Sequence, residues 1–299
     1  MLTKMAISSI PHILLNGNFH SQTSLIFNIG NRAFSSGDCV CEMIHTCADR
    51  LCFIDEHLEH LRQGMEAAMM AIPEKFYNRD KVFSREISRL LTKNRVFRGS
   101  LVTIVVFRAV YAPLSSGADT IEYVIYCEPL DCLGYKLNDR GLRLGFFDDF
   151  TLPVSPMSNF FTHDNATLKM AIRKKCTRAD INDVITVNHH GHIVETANSG
   201  NLFIIKDDTI ITPPLADGCK ADVMRRKILE VIAPMLGMKA VSDKPLREKD
   251  LNIKNTNEMF VASTANGIQW VAAYKSLRFM RAKTTAILKK LTELYESQE

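Results

Sequence analysis

Short apolar runs alternate with stretches of helical periodicity along almost the whole chain, which limits the fold to a mixed α and β architecture. His12 to Leu15 reads as a strand entering an Asn16-Gly17 turn. Val40 to Thr46 and Leu51 to Ile54 read as a hairpin. Asp55 and Glu56 then open a helix with an apolar face of Leu58, Leu61, Met65, Ala68 and Met69, the two acids suiting its N-terminal dipole. A second helix is predicted over about 80–93, and Leu101 to Arg108 and Ile121 to Cys127 are dense in strand-forming residues. Residues 131–140 carry Gly and Asn and little apolar pattern, and read as a linker. It separates a smaller α/β domain (1–130) from a larger one (141–299), a division that 299 residues permit. The larger part reads as strands at Leu142 to Phe147, Val184 to Val187 and Ile193-Val194, with a helix over about 166–179. A hairpin (Asn201 to Ile205 with Thr209 to Thr212), a helix over about 221–232, strands Met259 to Ala262 and Ile268 to Ala273, and a closing helix from Arg281 to Tyr295 complete it.

Several function classes are excluded. Thirty-seven basic residues against 33 acidic ones leave a net charge of +4, too mild to imply nucleic acid. No run of about 18 apolar residues is present, so no membrane span is expected. The first residues lack a signal peptide's apolar region and cleavage site, and the eight cysteines need not form a disulfide framework in a chain this long. Cys39-Val40-Cys41 is too tight for a Cys-x-x-Cys redox pair, and no cluster shows zinc spacing. Reduced thiols, a cytoplasmic location and no metal are therefore expected.

Four blocks carry potential chemistry. The first, Asn31 to Ile44, contains a Gly37-Asp38 turn leading into a buried strand and is unremarkable alone. In the second, Ile54 to Arg62, His57 and His60 stand three apart on one helix face, as solvated or capping residues; a metal pair lacks a further ligand. The third, Val194 to Arg226, places Glu195 at a strand end, suited to hydrogen-bonding a ligand nitrogen. Its Gly218 loop opens a helix whose free N–H groups can hold a phosphate. In the fourth, Phe260 to Val271, Ser263-Thr264 offers hydroxyl and backbone donors at a strand end, suited to an anion.

In this order and spacing, the four blocks resemble the class IV aminotransferases, the fold-type IV pyridoxal-phosphate family of branched-chain aminotransferase, D-amino-acid aminotransferase and aminodeoxychorismate lyase. The resemblance covers about Leu14 to Tyr295 and implies a two-domain fold, a homodimer, pyridoxal phosphate between the domains and a small amino-acid-like or anionic ligand. It places Glu195 on the carboxylate that pairs with the pyridine nitrogen and sustains the electron sink. Val223 falls on a backbone phosphate donor, Met224 replaces a frequent neighbouring Thr, and Ser263 and Thr264 fall on the second phosphate loop.

Two positions depart from the family. His60 stands where the resemblance expects the phosphate-binding Arg, and His is shorter and only partly charged at neutral pH. Arg62 is turned about 200° around the helix from that position. The Schiff-base lysine is expected shortly before Asn165, at Phe161 or at Thr162, and neither can form an imine. His163 and Asp164 are the nearest polar side chains, and Lys169, about 6 Å further along a helix than Asn165, is the remote fallback. That lysine supplies both the covalent anchor and the base for the α-proton. The implied reading is a family member with lost or altered cofactor chemistry. The alternatives are a non-catalytic homologue binding an anionic ligand or a protein partner, an active enzyme whose lysine sits elsewhere, and a lysine-independent enzyme using His163, Asp164 or His60.

Overall fold

A computed structural model describes residues 11–24, 30–48, 50–77, 81–109, 120–130, 134–163, 170–172, 174, 181–252 and 256–297. The chain divides into two compact units, Met1–Gly134 with Phe160–Asp164 and Gln298–Glu299, and Tyr135–Asn159 with Asn165–Ser297. The change of unit after Gly134 falls within the stretch read as a linker, of which 131–133 lie outside the described residues. Phe160–Asp164 groups with the first unit, in contrast to the expectation that all of 141–299 belongs to the second.

In the first unit, β1 (His12–Leu15), β2 (Asn18–Ser21), β3 (Cys39–Cys47), β4 (Arg50–Leu51), β5 (Gly99–Arg108) and β6 (Ile121–Pro129) form one sheet in the order β2-β1-β6-β5-β3-β4. Asn16-Gly17 makes the β1–β2 turn, as its composition predicts. β3 pairs with β5 from Cys39↔Phe107 to Cys47↔Gly99, and the period of two sends alternate residues to opposite faces. Val40, Ile44, Val102, Ile104 and Val106 are core residues. α2 (Ile54–Ala67) packs on β3 and buries His57, Leu58, His60, Leu61, Gly64 and Met65, a single helical stripe. Gly64 is required there: a Cβ would lie 2.7 Å from Val40 Cγ1 and 3.1 Å from the Phe160 ring. The apolar face predicted for this helix ends too late, because Met69 has φ +54° and is 83% exposed. α1 (Arg32–Ser36), read only as the approach to a turn, is capped by the Asn31 side chain and ended by Gly37 at φ +67°. α3 (Val82–Lys93) buries Phe83, Ile87, Leu90 and Leu91.

In the second unit, β7 (Leu142–Leu152), β8 (Asp183–Asn188), β9 (Ile193–Thr196), β10 (Asn201–Lys206), β11 (Thr209–Ile211), β12 (Lys239–Val241), β13 (Glu258–Ser263) and β14 (Gly267–Tyr274) run in the order β12-β11-β10-β13-β14-β7-β8-β9, with β15 (Leu277–Arg278) added on β14. β10, β13 and β14 supply a core of Leu202, Ile204, Met259, Val261, Val271 and Tyr274. The helix expected over 221–232 is α4 (Val223–Lys227), a π turn (Ile228–Ile232) and a short α5 (Ala233–Met235). The π turn sits just before Pro234, which has no N–H to continue the α ladder. α6 (Ala282–Glu296) closes the chain and buries Thr284, Ile287, Leu291 and Tyr295. Of the helix expected over 166–179, most lies outside the described residues; 170–172 and 174 are helical. No helix among the described residues is long and apolar enough to cross a membrane.

Candidate active site

The first unit concentrates titratable groups around one end of β3. Glu42 points toward α2, and its carboxylate holds both histidines of that helix: His57 Nδ1 lies 2.6 Å from Oε1 and His60 Nδ1 2.7 Å from Oε2. All three residues are buried, so the expectation of solvated or capping histidines fails. The three-residue spacing aims both rings the same way, and the acceptor comes from a strand whose i, i+2 alternation turns Glu42 away from Cys41. Burial pushes the Glu42 carboxyl up, but the charge of His60 and the hydrogen bonds from both rings outweigh it and hold it below the ordinary range. His60 therefore faces Glu42, at the position where the resemblance places a phosphate-binding Arg.

Phe160 and Phe161 follow around the same edge. The rings of Phe160 and Phe161 lie 5.2 and 6.3 Å from that of His60. The Phe161 carbonyl accepts a backbone hydrogen bond from Cys41 N at 2.8 Å, and its half-buried side chain packs against the cluster that contains Cys39, Cys41, Val105, Phe107 and Val124. One of the two positions expected to hold the lysine is thus an apolar side chain seated in a hydrophobic cluster. His163 Nε2 lies 3.4 Å from Cys41 Sγ. A hydrogen bond from Cys41 holds the Cys39 thiol down to about 5 against the opposing effect of burial, with His163 adding to the lowering, and the same bond with burial pushes Cys41 up. Asp164 and Lys169, also candidates in the sequence, lie outside the described residues.

The second unit assembles the remaining candidates. Glu195, next to last in β9, is buried, and its backbone carbonyl accepts from Thr186 Oγ1 at 2.8 Å. The chain then turns through Gly200, whose φ is +116°; a Cβ there would lie 2.5 Å from Ala262 O and 2.7 Å from Ser263 Cβ, so only glycine fits. That close approach brings the turn after Glu195 against the Ser263-Thr264 strand end. Cys219 lies near Glu195; its thiol donates toward the Pro213 and Pro214 carbonyls, and burial pushes it up to about 12. Lys220, which no motif in the sequence marks, donates from Nζ to Ser158 O at 2.7 Å.

Asp222, likewise unmarked by any motif, is the N-cap of α4. Its Oδ1 accepts from Met224 N at 2.7 Å and from Thr264 Oγ1 at 2.8 Å, and its Oδ2 accepts from Thr264 N at 3.0 Å. Asp222 is 1% exposed. Three donors from the two loops expected to bind phosphate thus converge on one internal carboxylate. The Thr264 carbonyl is fixed by Tyr135 Oη at 2.6 Å, and Ser263 Oγ accepts from Asn266 N at 3.2 Å. Val223 is the first residue of α4 and is buried with Met224. An N-cap Asp before Val223 is visible in the sequence; its bond to Thr264, 42 residues away, is not.

The family profile "Amino-transferase class IV" matches residues 40–274. An aminodeoxychorismate lyase from Vibrio harveyi is 26% identical over 208 residues, 68% of this chain and 72% of the relative. Among solved structures, the branched-chain aminotransferase of Thermoproteus uzoniensis with norvaline superposes with a TM-score of 0.84 at 18% identity, covering 96% of each chain. The pyridoxal-phosphate form of the enzyme from Thermobaculum terrenum gives 0.79 at 14% identity, covering 96% of this chain and 95% of that one. The fold is that of these enzymes.

Proposed function

The chain belongs to the class IV aminotransferase family, whose solved members include a pyridoxal-phosphate form, and we propose that it is a member which has lost the pyridoxal-phosphate chemistry of transamination and lyase reactions. The observation that carries this reading is the Asp222 carboxylate on Met224 N, Thr264 N and Thr264 Oγ1. A phosphate there would meet donors already engaged and a buried negative charge beside them. Pyridoxal phosphate therefore does not fit the residues present. His60 supports the reading, because its Nδ1 is taken up by the internal Glu42 carboxylate. The lysine position supports it as well, since Phe161 is apolar and Thr162 cannot form an imine. Glu195 stands where the resemblance puts the pyridine partner, yet one carboxylate without covalent anchor or phosphate cradle gives at most a few hydrogen bonds of about 1 kcal/mol each.

What remains is a family fold that binds a small ligand or a partner without turning over amino acids. The test is direct. The purified chain is dialysed after incubation with pyridoxal phosphate and assayed for amino-group transfer and for aminodeoxychorismate cleavage. A colourless, inactive protein supports the reading; retained cofactor with turnover in either assay overturns it.

A further inference from the structure

Outside the phosphate loops, the described residues contain one cluster of three metal-ligating side chains, Cys39, Cys41 and His163, whose ligand atoms all lie within 4.8 Å of one another. It lies entirely in the first unit and is independent of the cofactor reading. The two thiols stand at i and i+2 on β3, so the pleat points both to one face, a spacing that metal ligands from a strand can use although a Cys-x-x-Cys motif cannot describe it. The third ligand arrives from 122 residues away, and the Cys41 N to Phe161 O bond at 2.8 Å fixes the segment that carries it. Tetrahedral zinc with Zn–S near 2.3 Å and Zn–N near 2.0 Å needs S···N edges of about 3.6 Å. The Cys41 Sγ to His163 Nε2 distance of 3.4 Å already matches such an edge. The thiols are buried and His163 is exposed, so solvent reaches the side of the cluster from which an ion and a fourth, water ligand would enter. Both cysteines are reduced in the structure.

We propose that Cys39, Cys41 and His163 form a binding site for a soft divalent ion, zinc, with a water in the fourth position. Two thiolates and an imidazole select zinc over magnesium, calcium or manganese. Binding displaces the thiol protons to solvent and leaves the metal's oxidation state unchanged. The bound ion ties the segment after Phe161 to the outer edge of β3, directly beside the two positions the resemblance gives to the lysine.

The test uses the full chain, reduced, freed of metal with a chelator and titrated with Co2+ as a spectroscopic probe. The expected result is one equivalent bound, with thiolate-to-cobalt charge-transfer absorption and tetrahedral d–d bands, all displaced by Zn2+. Cys39→Ser, Cys41→Ser and His163→Ala each weaken binding by about tenfold or more, as losing a ligand costs at least what losing its supporting contact does. Cys127→Ser, a buried cysteine elsewhere in the sheet, leaves it unchanged. Should the strand variants not fold, His163→Ala decides alone, because His163 is exposed. Absence of the charge-transfer band, or unchanged affinity in His163→Ala, overturns the proposal.

Discussion

Removing the Asp222 carboxylate separates its two effects, holding the phosphate loops together and barring phosphate from them. In Asp222→Ala the N-cap of α4 is lost, at about 1 kcal/mol. The Thr264 amide and hydroxyl lose a charged acceptor, at roughly 1.5 kcal/mol each or more. The sum is about 4 kcal/mol, and at this chain length it lowers the unfolding midpoint by on the order of 10 °C. The same substitution leaves Met224 N, Thr264 N and Thr264 Oγ1 unengaged around a space with no negative charge. A phosphate group can then take the carboxylate's place, and a ligand at 100 times its dissociation constant returns about 2.7 kcal/mol. Thermal unfolding is followed for wild type and Asp222→Ala, each with and without millimolar pyridoxal phosphate or inorganic phosphate. The variant starts lower and recovers much of its loss with either ligand, while wild type does not respond. A wild type stabilised as strongly as the variant, or a variant as stable as wild type without ligand, refutes the reasoning.

Glu42→Gln removes the charge and one of the two oxygens that pair with His57 and His60 inside the core and costs about 3 kcal/mol, read by urea denaturation at neutral pH. Because the Glu42 carboxyl is held low, it stabilises the fold above the ordinary carboxylate range and that stability is lost as pH falls through its folded value; the Gln variant shows a flatter acid limb. Burial, with the charge of His57, lowers His45 to about 4, so the unfolded chain takes up a proton first and stability falls by up to about 3 kcal/mol as pH drops from 6.5 to 4; His45→Gln flattens that window in unfolding measured at pH 7, 5.5 and 4. Phe161→Lys or Thr162→Lys combined with His60→Arg stays colourless with pyridoxal phosphate, whereas adding Asp222→Ala yields a yellow protein in an absorption scan. The two-chain assembly that the resemblance implies predicts a dimeric mass in light scattering at micromolar concentration; a monomeric mass counts against it.

The contiguous parts of this account are legible in the sequence and the converging parts are not. Val40 to Thr46, Leu101 to Arg108 and Ile121 to Cys127 read as strands because their apolar, β-branched residues alternate or run together, and each is one. β12 is missed because its three side chains are exposed or half-buried and carry no alternation. The blocks around Glu195 and Ser263-Thr264 are recognisable from their own neighbours. The partners that decide the chemistry are side chains brought together from distant segments: Glu42 with His60, 18 residues on, Asp222 with Thr264, 42 on, and Cys41 with His163, 122 on. Spacing along one segment shows His57 and His60 sharing a face but not the carboxylate they share.

The most direct measurement of the central claim is borohydride reduction of wild-type protein saturated with pyridoxal phosphate, followed by peptide mapping by mass spectrometry. With no imine-forming residue at 161 or 162 and the phosphate donors held by Asp222, no lysine is tagged beyond the level found in the unfolded chain. Stoichiometric tagging of a single lysine, whether Lys169 or another, contradicts the account and returns the chain to the active members of its family.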